Sequence, residues 1–223
     1  MGLIVTLLIY LAALHAYRLR PHPLTNPVGL TVLALIIALQ PGGYPLERYQ
    51  RETLPLVWLL KPAVVALGWV AWNERGSLAG RLRPFLGGLV AGSATSLTLT
   101  PLLARALGAG PELQKALALK SITSAVAVDL GPRLGVNAGL AVPLIIIAGI
   151  LGAAFGPWIM ERLGVVAPFE RGLALGAASH GIGTARAAEE GALALAVSGL
   201  AMAATGLITA LLAPLAFLLL GLG

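Results

Sequence analysis

Long apolar runs leave this chain one kind of fold. They occupy residues 3–17, 28–39, 54–72, 85–104, 138–160 and 193–223. A helix crosses hydrocarbon in about 20 residues, and the runs beginning at 54, 85, 138 and 193 reach that length. Inside a bilayer every backbone N–H and C=O must find a partner within the protein, so such runs fold as helices. The expectation is an all-α, multi-pass protein of the cell membrane with about 6–8 hydrophobic segments. The first two runs are short and are read as tilted, broken or interfacial. No basic segment precedes residues 3–14, so a first helix is expected there and not a cleaved signal peptide.

Only 11% of the residues are charged, against about 25% in soluble domains. The net charge of +6 does not imply a nucleic-acid partner. Arg18, Arg20, Arg48, Arg51, Arg75, Arg81 and Arg83 are spread over links between the runs, without a basic face or interleaved aromatics. Membrane topology explains them better, and residues 73–84 are the best candidate for a cytoplasmic loop. Cysteine is absent, which rules out disulfides, thiolate metal sites and a cysteine nucleophile. No metal or cofactor is implied.

Against this background two polar clusters stand out. Within residues 173–191 the chain places Ser179, His180, Thr184, Arg186, Glu189 and Glu190 among the glycines Gly172, Gly176, Gly181 and Gly183. Each ionisable group costs roughly 2.5–3.5 kcal/mol at hydrocarbon depth on insertion scales. Each glycine weakens a helix by about 1 kcal/mol relative to alanine. A lipid-facing helix gains nothing from either feature, whereas a broken backbone lining a polar cavity uses both. The second cluster, in residues 115–130, holds Lys120, Ser121, Thr123, Ser124 and Asp129. Lys61-Pro62 sits inside the third run, where proline kinks a helix. The 40–43 sequence Gln-Pro-Gly-Gly is a turn signal.

The two clusters are related by a shift of 56 positions, which lays Pro101 on Pro157, Leu107-Gly108 on Leu163-Gly164, and Lys115 on Arg171. The units are residues 85–131 and 141–187. Two full crossings make them parallel, whereas two segments that dip in and return make them inverted, a recurrent transporter plan. The count of arginines and lysines on the two sides favours re-entry by a small margin.

Broken helix ends offer free N–H groups and partial positive charge to an anion. Lys120, Lys61 or Arg186 adds full charge, and an arginine fork suits a carboxylate. Ser121, Thr123, Ser124, Ser179 and Thr184 replace lost hydration, with Gly181 and Gly183 letting the backbone approach. Proton coupling or ion pairing falls to His180, Asp129, Glu189, Glu190 and Lys61. An enzyme is not expected. Adjacent Ser179 and His180 do not face each other on a helix, and no HExxH, paired carboxylate or phosphate loop is present. Small-residue faces on 85–104 and 193–209 suit a homodimer and internal packing equally.

The run RGLALGAASHGIGTARAAEEG at 171–191 resembles the LrgB/CidB family of bacterial membrane proteins. SGLAM at 198–202, GLITALLAPL at 206–215, KSITSAVAV at 120–128, GILGAAFGP at 149–157 and Asn26-Pro27 extend the resemblance over most of the chain, as a single LrgB-like transmembrane domain. It departs at Leu119, where the family usually has proline, at Ser124-Ala125, where it has Thr-Pro, and at Lys61, commonly glycine. The resemblance implies one of two roles. The first is a holin-like or antiholin-like control of murein hydrolase activity and lysis. The second is transport of a small monocarboxylate such as pyruvate or glycolate, with a small LrgA/CidA-like membrane partner. A pocket of hydroxyls, His180 and Arg186 has a use in the second role and none evident in a membrane lesion.

Overall fold

The computed structural model describes residues 1–39 and 43–222, apart from the side chains of Leu60, Lys61 and Val64. The expected turn at 40–43 and the side chain of Lys61 therefore lie outside the described residues, Gly43 excepted. All regular structure among the described residues is helical: α1 (Gly2–Leu19), α2 (Pro27–Leu39), α3 (Leu46–Asn73), α4 (Arg75–Leu78), α5 (Leu82–Ala106), α6 (Pro111–Ala118), α7 (Ser124–Leu130), α8 (Ala138–Arg162), α9 (Pro168–Ala187) and α10 (Ala192–Leu219), with three short 3-10 turns.

Four of these helices, α1, α5, α8 and α10, are long and apolar enough to cross a membrane. They carry the runs predicted at 3–17, 85–104, 138–160 and 193–223. The first run is thus longer as a helix than its apolar core suggested. The run at 28–39 forms the 13-residue α2, and that at 54–72 is the later part of the 28-residue α3.

The chain divides into two compact units, Met1–Trp69 and Val70–Gly223. In the first, α1 packs on α2, and Glu52 reaches the backbone N–H of Gly2 and the Arg48 side chain.

In the second unit, α5 and α8 are each 25 residues long and offset by 56 positions. Each ends in Leu-Gly with the glycine at positive φ, +83° at Gly108 and +72° at Gly164, a left-handed helix stop that glycine adopts without strain. A short helix then follows and breaks. After α6 the break is residues 119–123, before α7. In α9 it is the single residue His180, at φ 41° and ψ −133°.

Both broken segments double back. Arg171 donates to Glu190 through Nε and through Nη2, the latter at 2.8 Å. Those residues stand 19 positions apart, about 28 Å along an unbroken helix. Nearer the tip, a Cβ built on Gly183 would lie 2.2 Å from the Leu175 carbonyl oxygen, so only glycine allows the returning arm this approach. In the first segment Asn137 Nδ2 donates to Glu112 Oε1 at 3.3 Å, again joining entry to exit.

The contacts also set helix direction. Arg105, at the end of α5, donates to the Leu220 carbonyl at 2.6 Å, and to Gln114 at 3.2 Å. Arg171 joins Glu190, just before α10, to Val165 and Glu161 at the end of α8. The Phe85 and Phe169 rings meet edge-on at 6.4 Å, bringing the start of α5 to that same end. Thus α5 and α10 run together while α8 runs against both.

The core follows from this arrangement. Leu119 and Ile122 of the first hairpin tip share one buried cluster with Leu97 of α5, Ile145 of α8 and Phe217 of α10. In hydrocarbon such burial replaces lipid contacts and not water, so the cluster is held by close packing. In α9, Gly172 and Gly176 abut the backbone of Ala194 and Ser198 in α10. That is close packing of small residues four apart on both helices.

Candidate functional site

The first hairpin tip carries the better-formed site. Lys120 Nζ donates to Ser96 Oγ of α5 at 2.8 Å and to its neighbour Ser121 Oγ at 3.2 Å. The two hydroxyls stand 3.0 Å apart. The short break places Lys120 here because its amide closes a tight turn onto Leu117, while Thr123 caps α7 by accepting from Val126 N–H at 3.3 Å. The triad opens on a cavity of about 600 Å³ between α5, this tip and the first arm of α9. Thr95, Thr100 and Glu170 also line it, and the rest of the wall is largely glycine, alanine and leucine. Among the described residues no carboxylate pairs with Lys120. The site sets one basic side chain among hydroxyls in an apolar cleft, with the exposed Glu170 also on its wall, and a basic group beside hydroxyls is what a small anion needs when it leaves water.

The second tip is closed. His180 is 5% exposed, and its Nε2 meets the Ile145 carbonyl oxygen at 2.9 Å. A carbonyl only accepts, so Nε2 carries the ring proton. Gly149, one turn along α8, makes room for the ring. Thr184 Oγ1 donates to the His180 carbonyl at 2.9 Å and accepts from Ser198 Oγ at 3.0 Å. Ser179 is buried against Gly152. These bonds hold a non-glycine residue in the left-handed region, which costs on the order of 1–2 kcal/mol. A second, apolar cavity of about 430 Å³ lies between α8 and α9 and reaches Ser179, but His180 lines neither cavity.

The charges of the second cluster gather at the hairpin mouth. Arg186 Nη1 lies 3.3 Å from Glu189 and 3.6 Å from Glu190, and Glu190 is shared with Arg171. Arg171 and Glu190 are only 11% and 12% exposed, so the pairing is shielded from water. Arg186 is therefore neutralised by its own i+3 and i+4 neighbours and stands outside the Lys120 cavity. Asp129 is exposed on the returning arm α7, and Ser124 opens that helix.

The structure thus unites Lys120 and Ser121 with Ser96, and separately His180 and Thr184 with Ser198, while Ser179 lies against Gly152 of α8. Arg186, Glu189 and Glu190 form a third group. Ser96 and Arg171 are not among the site residues expected from the sequence. Ser96 lies at the position 56 before Gly152, which faces the other hairpin, and the spacing of Arg171 from Glu190 has meaning only once the segment folds back.

The sequence profile described as the LrgB-like family matches residues 6–219. The chain belongs to the LrgB-like family. Its relatives include the uncharacterized protein YxaC of Bacillus subtilis, 30% identical over 96% of this chain and 93% of that one. The holin-like protein CidB of Staphylococcus aureus is 26% identical over 97% and 95%. The antiholin-like protein LrgB of Bacillus subtilis is 25% identical over 89% and 86%. No solved structure matches the chain. With four apolar helices and these relatives, this LrgB-like chain is a multi-pass membrane protein. The stretch that carries the family resemblance, 171–191, is the second hairpin from mouth to mouth.

Proposed function

We propose that this protein is a carrier for a small monocarboxylate such as pyruvate or glycolate. Its two units, 85–131 and 141–187, are inverted repeats whose hairpins enter the bilayer from opposite faces and meet between α5 and α8. The observation that carries the reading is Lys120, bonded to Ser96 and Ser121 on a cavity of about 600 Å³ with no paired carboxylate among the described residues. The ammonium holds the carboxylate of the substrate, the hydroxyls replace its water, and the apolar wall takes its short carbon chain. One cation suits one carboxylate. The protein carries out no chemistry on its substrate. A second copy of the chain and a small LrgA/CidA-like membrane protein are the partners this reading allows.

The names of the relatives support a second reading, in which the protein acts in a holin-like or antiholin-like way on lysis. Liposomes holding the purified protein and an entrapped dye separate the two. Saturable uptake of labelled pyruvate, glycolate or lactate without dye release supports a carrier. Dye release without selectivity supports the lytic reading and removes the carrier.

A further inference from the structure

A carrier that moves an anion against a membrane potential is helped by a compensating charge, and a proton taken from water supplies one. Most charged or titratable groups around the hairpins are already occupied. The ring N–H of His180 is held on the Ile145 carbonyl, away from both cavities. Arg186, Glu189 and Glu190 face one another and Arg171 at the mouth. Lys115 lies 5.9 Å over the Phe217 ring. Asp129 is exposed on α7.

Lys120 differs in what surrounds it. It meets the Ser96 hydroxyl from α5 and that of Ser121 from its own hairpin, with Thr95 and Thr100 of α5 on the same cavity wall. From α9 the Glu170 carboxylate stands on the same cavity wall, without pairing to it. Hydroxyls both donate and accept. Opposite an ammonium, Ser96 and Ser121 accept. Opposite a neutral amine, one of them rotates and donates into the Nζ lone pair. The triad is satisfied in either state, whereas a paired carboxylate would hold the positive charge permanently. An arriving substrate carboxylate supplies that missing countercharge for as long as it stays.

We propose that Lys120 is the proton carrier of this site as well as its anion anchor. The amine takes a proton from water as the carboxylate arrives and returns it to water as the carboxylate leaves, so the proton offsets the charge of the bound anion. This rests on the carrier reading above.

Calorimetric titration of the purified full chain with pyruvate, in buffers of different ionisation enthalpy, counts protons taken up per anion bound. The expected count in slightly alkaline buffer is about one for the wild type, as for a single linked site. It stays the same in His180→Gln, and falls to none in Lys120→Arg, whose guanidinium stays charged throughout. Proton uptake that persists in Lys120→Arg overturns the proposal, as does wild-type binding without proton uptake. Should Lys120→Arg fail to fold, Glu170→Gln and His180→Gln decide. Binding with the proton lost in either one overturns the assignment to Lys120, and the proton kept in both supports it. Failure of the carrier reading has a different signature, because the wild type then shows no saturable binding of pyruvate, glycolate or lactate at all.

Discussion

If α9 doubles back at His180, then Arg171 and Glu190 are coupled, and a double-mutant cycle measures the coupling. On an unbroken helix the pair would stand about 28 Å apart, several Debye lengths at physiological salt, and would not interact. In the structure the guanidinium holds both oxygens of Glu190, and the two side chains are 11% and 12% exposed. Exposed pairs contribute about 0–1 kcal/mol, whereas removing one partner of a fully buried pair costs about 3–5 kcal/mol. This pair lies between those limits. Glu161 at 3.9 Å from Arg171, and Arg186 at 3.6 Å from Glu190, soften the loss by remaining as secondary partners. A coupling energy of about 1–3 kcal/mol is therefore expected between Arg171→Gln and Glu190→Gln. Denaturant or thermal unfolding of the wild type, both single variants and the double variant in detergent gives the value. Additivity to within about 0.5 kcal/mol would refute the hairpin, since that is the behaviour of distant sites.

Three other substitutions test the remaining contacts. Gly176→Ala places a Cβ 2.2 Å from the Ser198 carbonyl oxygen, a backbone atom, and so must force α9 and α10 apart by about 1 Å. The expected loss is about 1–3 kcal/mol, while Gly92→Ala, with nothing within 4 Å, should stabilise by up to about 1 kcal/mol through helix propensity; equal melting temperatures would contradict the packing. Ser96→Ala removes the nearer partner of Lys120 and should raise the KM for uptake roughly 10-fold, the equivalent of about 1.4 kcal/mol. An unchanged KM takes Ser96 out of the site. At His180 both small substitutions lose the Ile145 bond, but glycine also loses the left-handed strain. His180→Gly should therefore be more stable than His180→Ala by about 1 kcal/mol, and equal unfolding midpoints would mean that φ at 180 is not strained.

The helices α5, α8 and α10 were legible because hydrocarbon thickness converts directly into a count of apolar residues, whereas α1 reads as too short and the run at 54–72 is not among the four candidate spans. The relation between α5 and α8 was legible through Pro101 and Pro157 and the paired Leu-Gly stops. What the sequence did not reveal is that the polar segments fold back. The break at His180 is a single residue, and the same glycines and hydroxyls would serve a kinked crossing. The basic residues in the links discriminate weakly, since the choice turns on Arg133, Arg162 and Arg171 alone. At Arg186 local geometry was legible, since its i+3 and i+4 neighbours Glu189 and Glu190 stand within reach of it on a helix. Ser96 went unrecognised because a hydroxyl on a small-residue helix has the same sequence signature whether it packs or binds. Its partner Lys120 is 24 positions away.

The two hairpins are built to different tolerances, and that difference bears on which one moves. The second is tied at its mouth by Arg171, Arg186, Glu189 and Glu190, along its length by glycines against the α10 backbone, and at its tip by the Ser198–Thr184–His180 chain of hydrogen bonds. The first has the Glu112–Asn137 and Arg105–Gln114 hydrogen bonds at its mouth, and the Lys120–Ser96 and Ser96–Ser121 hydrogen bonds at a tip of five residues made of short turns. Its apolar anchors, Leu119 and Ile122, are fully buried, so it is well packed and held by hydrogen bonds, with no ion pair among the described residues. Hydrophobic contact tolerates sliding that directional bonds and ion pairs do not, and local opening proceeds at the lowest free energy where the fewest bonds break. Amides of 119–123 should therefore exchange with deuterium faster than those of 176–182 in detergent-solubilised protein, and saturating pyruvate should slow the first set selectively. Equal or slower exchange at 119–123 would refute the asymmetry. If the expected pattern is found, Lys120 rides on the mobile hairpin while His180 belongs to the fixed frame, and a charge that travels with its substrate is better placed to carry a proton than one that stays behind.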